Sequence, residues 1–115
     1  MSWVWTVMLS FGNEEYWVDG EDEPREDCQA LENINVWLKA DDVRQYGPLM
    51  DLTAGATGNE VGMSANLYGG GFNHLDIEKF AAVIKDQEWH DPANVQLFIK
   101  GEEDEKFTLL PLEDL

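Results

Sequence analysis

Trp3-Val4-Trp5-Thr6-Val7-Met8-Leu9-Ser10-Phe11 is the stretch that decides the fold. Successive side chains of an extended chain point to opposite sides. Trp3, Trp5, Val7, Leu9 and Phe11 therefore share one face, and Val4, Thr6 and Met8 the other. Apolar residues on both faces predict a strand inside a sheet, not at its edge, and Gly12-Asn13 ends it. Tyr16-Trp17-Val18 reads as a short strand or a loop.

Downstream, Asp22 or Glu23 can cap a helix opening near Pro24, with Glu26 and Asp27 at the positive end of its dipole. Its stripe is Asp27, Leu31, Ile34 and Leu38, joined by Cys28 and Asn35; Ile34 to Leu38 alone also fits a strand. Tyr46-Gly47-Pro48 is a turn. Leu49 to Ala54 and Val61 to Tyr68 read as two strands of a hairpin, the second ended by Gly69-Gly70-Gly71. Asp76 caps a second helix whose stripe is Ile77, Phe80, Ala81 and Ile84. Asp91-Pro92-Ala93-Asn94 is a turn. Val95, Leu97 and Ile99 alternate, Gly101 to Glu105 turn the chain, and Phe107 to Leu112 return it. The expected fold class is α+β: a single domain over residues 1–115, with an antiparallel sheet of about four to six strands and two helices packed on one face.

Charge sets the function classes. Twenty-four Asp and Glu face seven Lys and Arg, a net charge of −17 on 115 residues. The acids are clumped: nine lie between Glu14 and Glu32 against a single Arg25, and Glu102-Glu103-Asp104-Glu105 form a second knot on the expected hairpin tip. Such a chain repels nucleic acid and anionic membrane and draws in basic partners. With 43% hydrophobic residues and five Trp, it carries enough apolar surface to fold. Cys28 is the only cysteine, so no intrachain disulfide forms, and a cytoplasmic protein is expected. The N-terminus reads as mature sequence, and no run approaches the roughly 18 apolar residues of a membrane span.

The inventory for catalysis is thin, and no enzyme activity or cofactor is expected. His74 lies near Asp76 and His90 near Asp91, a general-base pattern that also fits capping and packing near helix ends. Cys28 lies among acids, which disfavour the thiolate, and reads as a small core residue. Asp19, Glu21, Asp22 and Glu23 do not follow the spacing of a calcium loop, and one Cys with two distant His gives no zinc spacing, so no metal site is expected. The glycine run lets a backbone approach a ligand, or supplies positive φ where a strand turns into a helix; flanked by Tyr68 and Phe72, it also suits a protein-binding edge. Trp3, Trp5 and Trp89 read as core. Trp17 and Trp37 flank the acidic segment, and they fit either a surface that meets Arg and Lys or partial burial under a loop.

The first strand Trp3-Val4-Trp5-Thr6-Val7, the acidic run before Ala30-Leu31-Glu32 and the late hairpin Val95-Gln96-Leu97-Phe98-Ile99 together resemble the small acidic α+β immunity proteins of bacterial polymorphic and contact-dependent toxin systems. The resemblance implies a bacterial cytosolic protein that binds one cognate toxin and has no catalysis of its own. The expected function is an inhibitor that occludes a basic toxin, a nuclease being one such partner. The alternatives are a mimic of DNA that occupies a nucleic-acid-binding protein, or a non-catalytic acidic domain. On charge and aromatics alone, the partner-binding candidates are Glu14, Glu15, Trp17, Asp19, Glu21, Asp22 and Glu23, with Glu102, Glu103, Asp104 and Glu105 as a second contact.

Overall fold

A computed structural model describes residues 3–16, 28–40, 46–52 and 65–112. Five strands form one antiparallel sheet: β1 (Val4–Gly12), β2 (Met50–Asp51), β3 (Ala65–Asn73), β4 (Gln96–Gly101) and β5 (Thr108–Leu110), in the spatial order β2-β3-β1-β4-β5. Among the described residues two α-helices accompany it, α1 (Gln29–Lys39) and α2 (Ile77–Lys85). This is the expected α+β layout.

The two-sided apolar pattern of β1 puts it where predicted, in the middle. It pairs with β3 from Val4↔Asn73 to Gly12↔Ala65 and with β4 from Trp5↔Gly101 to Ser10↔Gln96. Val7, Leu9 and Phe11 are fully buried on one face, and both helices pack there through Ala30, Leu31, Ile34 and Leu38 of α1 and Phe80, Ala81 and Ile84 of α2. Burial of this kind contributes about 25 cal/mol per Å² of apolar surface, the main favourable term in the fold. The other face carries Thr6, Met8, Leu67 and Phe98, joined at the sheet's margins by the exposed Met50 and Leu109.

α2 begins as the sequence dictates. Asp76 stands at the N-cap and its carboxylate accepts a hydrogen bond from the Lys79 amide at 3.2 Å. The start of α1 is a correction. Cys28 is extended (φ −111°, ψ 114°) and forms the N-cap, so the helix opens at Gln29 and not near Pro24. The apolar register is the reason: the buried stripe runs from Ala30 to Leu38, and the acids at 22–27 that look like a cap lie outside the described residues. Ile34 to Leu38 are helical, not extended.

A second correction concerns the glycines. Gly69-Gly70-Gly71 do not end a strand; they lie inside β3, which continues to Asn73. They also do not supply the left-handed residue before α2. That residue is His74, at φ 58°. Close approach explains Gly69: a β-carbon there would stand 2.5 Å from the Val7 carbonyl oxygen and 2.9 Å from the Leu52 side chain. Gly69→Ala should therefore cost about 1–3 kcal/mol by overpacking, read as a lower denaturation midpoint at unchanged slope. β2 and β5 are shorter than expected. β5 stops before Pro111, which has no amide hydrogen to extend the ladder.

Candidate functional site

Two groups of described acids stand at the ends of β1. At its C-terminal end the chain tightens into a 3-10 turn, Asn13–Glu15, which sends two neighbouring carboxylates in opposite directions. Glu15 turns inward and is 6% exposed; its two oxygens accept the amides of His90 and Asp91, each at 3.0 Å. Glu14 stays at the surface and accepts from the Asn94 side-chain amide at 2.6 Å. The same amide donates to Asp91 at 3.0 Å, so one donor holds two like charges together. The bond from Asn94, followed by a backbone bond, holds the Glu14 carboxyl below its ordinary value near 4.5. Its small stabilising contribution is present above that value and is lost as pH falls through the lower, folded one.

At the N-terminal end of β1 stands the β4–β5 turn. The Asp104 carboxylate accepts from the Gly101 amide at 2.8 Å, closing the turn, and Glu102 accepts from the Val4 amide at 2.8 Å, tying the tip to the start of β1. Glu102, Glu103, Asp104 and Glu105 are all exposed. Trp3 packs against Gly101, where a β-carbon would stand 2.7 Å from the indole, and meets Trp5 edge-on at 5.9 Å. The aromatic neighbour expected of an acidic patch is thus provided here by Trp3. The sequence carries no local sign of it, because the β1–β4 register brings the two together.

β1 spans nine residues, so the two acidic ends lie roughly 26–30 Å apart at a rise of about 3.3 Å per residue. Glu14 and the tip do not form one patch. Trp17, Asp19, Glu21, Asp22 and Glu23 lie outside the described residues. Trp37 is half-buried, its ring 6.0 Å from that of Phe80, which fits partial burial.

The groups capable of catalysis are dispersed. The His74 amide donates to the Trp3 carbonyl at 2.7 Å and the His90 amide to Glu15, so the two histidines sit at opposite ends of β1. Cys28 is buried, and burial pushes its thiol above the usual range, with Glu15 and Glu32 acting in the same direction. The folded chain should accordingly react with a thiol reagent at pH 8 at least about 100-fold more slowly than the chain in denaturant; equal rates would show Cys28 open to solvent. The Tyr16 and Tyr68 hydroxyls bond at 2.7 Å, and burial, then this bond, hold the Tyr16 proton far beyond the ordinary range. Among the described residues no three His, Cys, Asp or Glu side chains converge as metal ligands, and no helix is long and apolar enough to cross a membrane.

No protein-family model, curated protein or solved structure matches this chain.

Proposed function

We propose that this chain is a non-catalytic inhibitor that captures a basic protein, in the manner of a cytoplasmic antidote occupying the cationic surface of its toxin. The observation that carries this reading is the hairpin tip: four exposed carboxylates in sequence, anchored to the sheet through Asp104 and Glu102, with Trp3 beside them. Anchoring matters because a pre-ordered contact loses less conformational entropy on binding. An indole beside carboxylates suits Arg and Lys, which pair with the acid and lie against the ring. The net charge of −17 adds long-range attraction that speeds encounter.

The test has two stages. The chain is used to capture protein from its source cells at low salt, and bound protein is released by rising salt and identified. Association of the captured protein is then timed for the wild type and for a Glu103→Lys/Glu105→Lys double variant. Both residues are exposed, so the fold should persist. Association should slow by at least about tenfold, with dissociation changing less than about threefold. An unchanged association rate, or a captured protein with no basic surface, overturns the reading.

A further inference from the structure

Beyond the tip, the fold leaves an opening where its helical layer ends. α2 stops at Lys85, the 3-10 turn Pro92–Asn94 follows, and β5 runs along the margin of the sheet. Between them lies a groove of about 480 Å³ lined by Trp89, Val95, Leu110, Pro111 and Leu112, among others. The volume falls within the roughly 300–1,000 Å³ of ordinary ligand-binding clefts. The Trp89 indole N–H already donates to the Ile84 carbonyl at 2.8 Å, so the ring offers the groove carbon surface and no free polar atom.

The surroundings of the groove are acidic. Asp86 and Glu88 are exposed and adjoin the lining residues Lys85 and Trp89 in sequence. Asp91 and Glu14 are held together at the Asn94 amide, next to lining residue Ala93. Among the described residues of the lining Lys85 is the one cation, in the last turn of α2 where the helix dipole favours it. Four carboxylates against one ammonium disfavour an anionic lipid, a fatty acid or a nucleic acid as occupant.

We infer that this groove seats an amphipathic basic segment of a protein partner, its Leu, Ile or Phe side chains entering between Trp89 and Leu110 and its Lys or Arg meeting the four carboxylates. This rests on the reading that the chain captures a basic protein, and adds to it a second contact near the far end of β1 from the hairpin tip. Apolar entry gives residence time, while charge gives speed of encounter.

The test uses the intact chain and two peptides of equal length and equal lysine content, one with leucines at helical spacing and one with serines in their place. Binding is followed by two-dimensional NMR of the backbone amides and tryptophan indoles. The leucine peptide should shift the Trp89 indole and the Gln96 amide, and should bind at least tenfold more tightly than the serine peptide. Ala93→Arg should weaken the leucine peptide at least tenfold with no change in melting temperature, because Ala93 is exposed. Equal binding of both peptides, with shifts confined to Glu102–Glu105, overturns the groove and leaves the charge-capture reading standing. Binding of neither peptide overturns both. Groove signals that move with protein concentration alone would show a second copy of the chain seated there, and also overturn the inference.

Discussion

Phe11→Ala will remove about 3–5 kcal/mol of folding stability, a large share of the 5–15 kcal/mol that domains of this kind possess. Phe11 has no exposed surface and stands at the meeting point of three rings. Its ring lies 5.6 Å from Tyr68 in a parallel stack, 5.4 Å from Trp89 and 6.0 Å from Tyr16. Alanine forfeits the transfer of a large side chain from water and leaves a cavity that rigid neighbours fill poorly. The loss is also shared, because Tyr68 belongs to β3 while Trp89 follows α2, so the cavity opens between sheet and helix. Urea unfolding checks this through a fall in midpoint at constant slope. A loss below about 1 kcal/mol would mean that the three rings close over the gap.

Glu15→Ala should cost about 2–4 kcal/mol, an unusual figure for deleting a carboxylate from a chain so rich in them. Removing one of twenty-four acids relieves repulsion, and at an exposed site that relief would be the dominant effect. At Glu15 the balance is reversed. Two backbone amides, those of His90 and Asp91, lose a charged acceptor at 3.0 Å in a place with little access to water. Glu15→Gln keeps one acceptor oxygen and should lose roughly half as much. The exposed Glu103→Ala is the control and should lie within about 0.5 kcal/mol of the wild type. Equal effects at Glu15 and Glu103 would refute a structural role for Glu15. Once the fold is intact, Glu15→Gln should leave the rate of partner association unchanged.

This contrast shows how far the residues alone could be read. β1, α2 and the β4–β5 hairpin were legible because their periodicities are clean and their punctuation is local: Gly12 at the end of the strand, Asp76 before the helix, Gly101 where β4 gives way to the turn. β3 was obscured because glycines have no side chains with which to show alternation. What holds that segment extended is hydrogen bonding to β1 on one side and β2 on the other. The start of α1 was misplaced because acids and a proline resemble a cap wherever they occur, whereas the true boundary depends on which residues reach the core. At the candidate site the acidic tip could be read directly. The inward turn of Glu15 could not, since its partners are backbone amides 75 and 76 residues away and leave no signature in side-chain type.

The central position of β1 also shapes how this protein is made. β1, carrying Trp5, Val7, Leu9 and Phe11, is synthesised well before one of its two neighbours, β4, which ends at Gly101. At about 5–20 residues per second, roughly 4–17 s of synthesis separate β1 from the strand that must lie beside it. During that interval an apolar segment has at least one open edge, and both until β3 is made, with no complete core to enter. The sheet can close only when β4 arrives, so the nascent protein has reason to be shielded by a chaperone, and an interrupted translation product ending before β4 is a natural target for quality control.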